Sequence, residues 1–180
     1  MSASIKIATI QRCVGRSVCR IILRQRPTKG VVQGVQAIGR LDQDTTGLLL
    51  LTDDGQFIHK MSSPKHHVPK VYEVETARPV DEAQVRRLRE GVVLDDDPMP
   101  VRAEGCESTG PQALRLTLVQ GKYHQVKRMM AVVGNRVEAL HRSAFGTLAL
   151  PADMKAGEWR WLDAGYPFVA RTGDASAPSR

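Results

Sequence analysis

The chain has few aromatic residues, three Phe, two Trp and three Tyr among 180 positions. That scarcity argues against serial base stacking on an aromatic platform, so any nucleic-acid contact has to rely on charge and pocket shape. Cysteines are equally few. Cys13, Cys19 and Cys106 are odd in number and form no C-x-x-C pair. Neither a disulfide framework nor a zinc knuckle is suggested, and a reducing, cytoplasmic compartment is expected. Long apolar runs are missing too: the longest aliphatic stretch is Leu48 to Leu51. A membrane helix needs roughly 20 apolar residues, so no membrane span is expected.

Acidic residues are absent from the first 41 positions, which carry eight basic ones: Lys6, Arg12, Arg16, Arg20, Arg24, Arg26, Lys29 and Arg40. Overall there are 26 Lys and Arg against 19 Asp and Glu, a net charge of +7, so the rest of the chain is balanced, 18 against 19. An Arg-rich, acid-free start can read as an organelle transit segment, but Ile5 to Ile10 and Ile21 to Leu23 show no amphipathic pattern. Two later stretches are locally basic and hold all five histidines. His59 to Lys70 has Lys60, Lys65, Lys70, His59, His66 and His67 with no acid; Lys122 to Arg142 has five Lys or Arg and two His against Glu138 alone. Brought together they would make the electrostatic footprint of a polyphosphate partner. Kept apart they are two solvated surfaces.

With 42% hydrophobic and 25% charged residues of mixed sign, the chain can bury one core of ordinary domain size. Leu48 to Thr52 reads as a buried strand closed by the Asp53-Asp54-Gly55 turn, and Gln56 to Met61 as a short helix stopped before Pro64. Val68 to Thr76 alternates as a half-buried strand does. Asp81 to Gly91 is a helix with a capping-box pair, Asp81 and Gln84, and a glycine stop. After a turn at Asp95 to Pro98, Met99 to Cys106 and Ala113 to Val119 are expected as neighbouring antiparallel strands. His124 to Val133 has helical spacing, and Arg136 to Phe145, Thr147 to Leu150 and Trp159 to Leu162 read as closing strands. The fold class is α+β with a mainly antiparallel sheet. The tail from Arg171 is small and polar, as flexible tails are.

Two segments are dense in chemistry. Gly39 to Gly47 (GRLDQDTTG) sets Asp42 and Asp44 directly before the buried strand. They suit a paired-carboxylate site, a D-x-D metal site or an ordinary Asx turn. Gly121 to Met129 (GKYHQVKRM) sets Lys127 and Arg128 at a helix start, where cations oppose the macrodipole and favour a facing anion. A metal-dependent phosphodiesterase using Asp42, Asp44 and His66 or His67 is a rival reading. Ser62 and Ser63 lack a placed His-Asp relay, which argues against a serine hydrolase.

Three ordered segments, GRLDQDTTGLLLLTDDG (39 to 55), SSPKHHVPKVY (62 to 72) and GKYHQVKRMM (121 to 130), resemble the ribosomal small subunit pseudouridine synthase A type of the pseudouridine synthase superfamily. The resemblance runs from about Gln36 to about Leu162. It implies the pseudouridine synthase fold, a mainly antiparallel mixed sheet flanked by helices, and an enzyme that isomerises uridine in 16S rRNA without cofactor or metal. By motif, Asp42 matches the catalytic aspartate, Tyr72 the tyrosine that stacks on uracil, and Lys127 the basic residue that pairs with the aspartate. Arg40 matches an arginine that helps open the RNA helix. Lys65, His66, His67, Lys70, Lys122, His124, Gln125, Arg128 and Arg142 are the further candidate RNA contacts. A carboxylate working in a water-poor pocket needs a nearby cation to stay ionised, and a base in folded RNA must be flipped out to be reached.

The chain departs from the family at its start, where no S4-type RNA-binding domain and no first strand are recognisable. The expected organisation is an atypical basic segment over 1–23, a catalytic domain over 24–166 and a flexible tail over 167–180. A shortened or frame-shifted start would leave one edge of the sheet unpaired. Alternatives to the main reading are a catalytically impaired RNA-binding remnant of the same fold and a synthase acting on 23S rRNA. The expected state is a monomer, with rRNA or an assembly intermediate as partner and no nucleotide cofactor.

Overall fold

Four consecutive leucines cannot alternate between core and solvent, and the structure buries both faces of the strand that holds them. A computed structural model describes residues 5–10 and 35–162. In it Leu48 and Leu50 of strand β3 (Thr45–Thr52) face one apolar cluster, while Leu49 and Leu51 face another with Ala37, Leu41 and Trp159. A continuous apolar run is what a strand covered on both sides requires.

β3 sits in a nine-stranded mixed sheet. Its other members are β1 (Ile5–Ile10), β2 (Gln36–Ala37), β4 (Lys70–Thr76), β7 (Gly105–Gly110), β8 (Ala113–Leu118), β9 (Val137–Phe145), β10 (Leu148–Ala149) and β11 (Trp159–Leu162). The order is β11-β1-β3-β9-β4-β8-β7, with β10 on β9 and β2 on β3. Only the β3–β9 pair is parallel among the described strands. A separate hairpin pairs β5 (Val92–Leu94) with β6 (Asp97–Val101). Three helices complete the fold: α1 (Gly55–Ser62), α2 (Glu82–Glu90) and α3 (Gln125–Val132).

The capping box acts as read, and Asp54 of the expected turn caps a helix as well. The Asp54 carboxylate accepts from the N–H groups of Gln56 and Phe57 at 2.9 and 3.0 Å to start α1, and Asp81 and Gln84 close a reciprocal capping box on α2. The alternating Leu114, Leu116 and Leu118 of β8 point into the larger core cluster, where Met129 and Met130 of α3 and Leu88 of α2 meet them. Each such buried side chain contributes about 1.5–3 kcal/mol. A second cluster joins Leu48, Leu50, Met61, Val68, Phe145 and Leu148.

Two expectations are corrected. Met99 to Cys106 is not one strand: its first part belongs to the β5–β6 hairpin, and the main-sheet strand β7 starts at Gly105. The break falls at residues 102–104, where the Ala103 N–H donates to the Leu88 carbonyl of α2 at 2.8 Å and not to a strand. Nor is the β3 edge open. Ile5 to Ile10, expected outside the catalytic domain, pairs antiparallel with β3 on one side and β11 on the other. The basic stretch Arg12 to Lys29 and the tail from Arg171 lie outside the described residues.

β9 approaches β3 closely at Gly47, which has φ 105° and lies opposite Arg142. A Cβ there would lie 2.3 Å from the Arg142 carbonyl oxygen. Backbone cannot yield as a side-chain end can, and the φ is one that L residues rarely adopt. Gly47→Ala is expected to destabilise the protein by about 3 kcal/mol, read by urea denaturation. A loss below about 1 kcal/mol would show that β3 and β9 can separate at little cost.

Candidate active site

A cleft of about 550 Å³ opens where the two core clusters meet, lined by Leu118, Val126 and Leu140 of the first and Met61 and Phe145 of the second. The loop entering β3 brings Arg40 and Asp42 to it, β4 brings Lys70 and Tyr72, the turn before α3 brings Lys122 and His124, and β9 brings Arg142. Gln125 also contributes to the lining. Eight of the residues singled out from sequence therefore converge. Lys65, His66 and His67 lie outside the lining and are exposed. Lys127 and Arg128 lie outside it as well.

Asp42 is held by its backbone, its carbonyl accepting from Thr45 N–H at 3.0 Å. Its carboxylate is 26% exposed, and its nearest cationic group is His124 Nε2 at 3.6 Å. The expected Lys127 partnership does not form. Lys127 Nζ donates to both oxygens of Asp44 at 2.5 and 2.6 Å, and this bond holds the Asp44 carboxyl below its ordinary range. Asp44 stands on the rim with its side chain 64% exposed, so the two acids of the D-x-D segment have different cations as neighbours.

The other rim cations are also engaged by carboxylates. Lys122 pairs with Asp97, and Arg128 pairs with Asp96 while donating to the Tyr123 carbonyl at 3.2 Å. Gln125 is turned inward, its side-chain oxygen accepting from Lys122 N–H at 3.0 Å. It shapes the turn and is not presented to an external ligand. Tyr123 was not singled out from sequence; it lines the cleft, is 67% exposed and stacks on His124 at 3.9 Å between ring centroids. Its place beside His124 in the GKYHQ segment was the available signal.

The floor of the cleft is different. Arg142 is 1% exposed, and its Nε donates to the Leu48 carbonyl at 2.8 Å. Lys70 donates to the Val68 carbonyl at 3.1 Å. Both cations lie against the Phe145 ring, at 5.4 and 5.3 Å from its centroid. Among the described residues neither has a carboxylate within ion-pair distance. Three buried side-chain polar atoms are unpartnered among the described residues: Arg142 Nη2, Thr45 Oγ1 and Gln120 Oε1. All three belong to residues lining this cleft. Orphaned buried donors and acceptors mark a place built for an occupant that supplies their partners.

The remaining candidates fall elsewhere. His141 lies on the opposite side of β9 from the cleft, its Nδ1 2.8 Å from Thr46 Oγ1. Burial raises the Cys106 thiol to about 11, which makes it an inert core residue. Among the described residues no group of three or more His, Cys, Asp or Glu side chains is placed to hold a metal ion, so Asp42, Asp44 and His66 or His67 do not gather as the phosphodiesterase reading requires. No helix among the described residues is long and apolar enough to cross a membrane.

Comparison with known proteins matches the family RNA pseudouridylate synthase over residues 14–132. The chain belongs to this family. It is 44% identical over 132 residues to ribosomal small subunit pseudouridine synthase A of Yersinia pestis, covering 73% of this chain and 56% of that protein. The Escherichia coli K12 protein of the same name is 45% identical over 128 residues, 71% of this chain and 55% of that one. The chain thus spans about half the length of these curated relatives. A crystal structure of a pseudouridylate synthase superposes with a TM-score of 0.81 at 35% identity, covering 91% of this chain and 72% of that one. An archaeal box H/ACA sRNP structure shares the fold alone, with a TM-score of 0.60 at 13% identity. The α+β pseudouridine synthase fold expected from sequence is the one observed.

Within this family fold the cationic floor has a measurable consequence. Burial, and then the charge of Arg142, lowers the Lys70 amine from 10.5 to about 8. Between those values the unfolded chain binds a proton that the native chain does not, so stability rises with pH there. The cost of holding a charged Lys70 is complete below pH 8 and is gone above 10.5. Lys70→Met is expected to stabilise the protein near neutral pH by about 1–2 kcal/mol, allowing for solvent screening, and the gain should vanish as pH rises through that window. Urea titrations at several pH values read it; a gain independent of pH would assign it to packing.

Proposed function

We propose that this chain isomerises a uridine to pseudouridine in small-subunit rRNA, with Asp42 as the reacting carboxylate. The observation that carries the reading is the joint placement of Asp42 and Tyr72 around one cleft whose floor holds the buried Arg142, with Nη2 unpartnered among the described residues. The motif likeness and the names of the curated relatives support it. The reaction breaks the bond between ribose C1′ and base N1 and joins C1′ to C5. The C5 proton leaves and N1 gains one, so no electrons are exchanged and no cofactor is called for. Tyr72 offers a ring face for the flipped base, and the cleft walls exclude water from it. His124, with Nε2 3.6 Å from Asp42, is the basic side chain beside the carboxylate, a place the motif likeness gave to Lys127. Arg40 at the cleft mouth and the basic rim are placed to meet phosphates of folded RNA. A cytoplasmic monomer acting without nucleotide cofactor completes the reading.

Carbodiimide-adduct primer extension on unmodified small-subunit rRNA tests it. The chain is expected to create a stop at one uridine. Asp42→Asn should lower turnover about 10³-fold or more while RNA affinity stays within about threefold, because a neutral isostere removes the reacting group without adding bulk. A stop in 23S rRNA instead would reassign the substrate. Folded protein that binds RNA and yields no stop would make the chain a binding remnant.

A further inference from the structure

The cations of the Gly121 to Met130 segment are the ones a polyphosphate would meet at the rim, and each already holds an acid of this chain. Lys127 holds Asp44, Lys122 holds Asp97 and Arg128 holds Asp96. The last two acids are adjacent residues: Asp96 stands in the turn joining β5 to β6 and Asp97 opens β6, in a two-stranded sheet separate from the main one. The hairpin is anchored at its base, where Val92, Leu94 and Val101 join Met129 and Met130 in the larger core cluster. Its tip is open to water, with the Asp96 side chain 71% exposed. Two neighbouring carboxylates on two cations beside one cleft therefore stand where two consecutive phosphates would stand.

We propose that Asp96 and Asp97 are specificity determinants that hold Lys122 and Arg128 until an RNA presenting phosphates to both cations displaces them. The inference rests on the RNA-directed reading above. Ion pairs at a partly solvated surface contribute little and exchange one anion for another at little net gain, so an RNA that makes no further contacts in the cleft gains almost nothing from these two cations. A neutralised cation also releases no counterion when phosphate replaces the carboxylate, which lowers non-specific affinity and its salt dependence. The acids thus act against wrong partners more than for the right one.

The test compares wild type with Asp96→Asn plus Asp97→Asn, using substrate rRNA fragments and an unrelated structured RNA over a range of salt. The double variant is expected to bind the unrelated RNA about tenfold tighter, with a salt dependence steeper by about two phosphate contacts and a smaller preference for substrate. Each single variant should show about threefold and one contact, so the inference stays testable should the double variant fold poorly. Asp95→Asn removes the same charge from the same tip, where no ion pair is seen, and should change little. Wild type that makes pseudouridine, with variants that bind no tighter, would overturn the role of the acids alone. An effect of Asp95→Asn equal to the others would overturn it in favour of general charge. Wild type and variants that all bind no RNA would overturn the RNA-directed reading and this inference with it.

Discussion

The cleft depends on how closely β9 lies against β3 at Gly47. Without a Cβ at that position the Arg142 backbone can pack where a side chain would otherwise stand, and the parallel β3–β9 ladder closes. Arg142 is then opposite Tyr72 on its other side. One row across three strands therefore fixes the entry to β3, the tyrosine of β4 and the arginine of β9. Asp42 lies three residues before β3 begins at Thr45 and is tied to it by the Thr45 N–H, so the ladders that fix β3 against β9 and β9 against β4 also set its place relative to Tyr72. Sites mounted on strands hold their geometry more tightly than sites carried on loops alone. The Arg142 side chain adds a second tie, through Nε to the Leu48 carbonyl.

Charge is arranged in two layers of opposite character. On the exposed rim, where ion pairs contribute little, Lys122, Lys127 and Arg128 are all paired. On the cleft floor, where an unpaired charge costs more, the buried Arg142 and the half-buried Lys70 have no carboxylate within ion-pair distance among the described residues. A chain arranged for stability alone would do the reverse. The inversion suits a site whose occupant brings negative charge inward and meets a screened surface on the way, so that field strength is greatest at the floor, away from bulk solvent.

Much of this was legible in the residues. Alternation located β4 and β8, helical spacing α2 and α3, and a continuous apolar run the doubly covered β3. The capping acid Asp81 fixed one helix start. The motif segments identified Asp42, Tyr72, Lys122 and His124 as neighbours, which the fold brings together. What was not legible depended on long-range pairing. Ile5 to Ile10 gives no clear period, and its pairing with β3 and β11 joins residues more than 35 positions apart, which local spacing does not reveal. The choice of Asp44 over Asp42 by Lys127 is a matter of ångströms between two acids two residues apart, beyond the reach of spacing rules. The hairpin acids looked like turn residues, as they are; their partners lie about 25 and 32 positions away in sequence.

The conflict between stability and function is confined to one place. The two core clusters are apolar and filled, with Leu50, Leu114, Leu116 and Met129 fully buried. The orphaned polar atoms sit between those clusters, on the walls of the cleft. Arg142 is the decisive case, since it occupies an inward position of β9 between Leu140 and Phe145. A leucine there would join the clusters into one core and remove an unpaired charge from it. The position holds instead an arginine whose Nη2 has no partner among the described residues, a donor that suits an occupant with acceptors and negative charge. Local rules are broken where a protein acts on something else, and here they are broken around Asp42 and Tyr72.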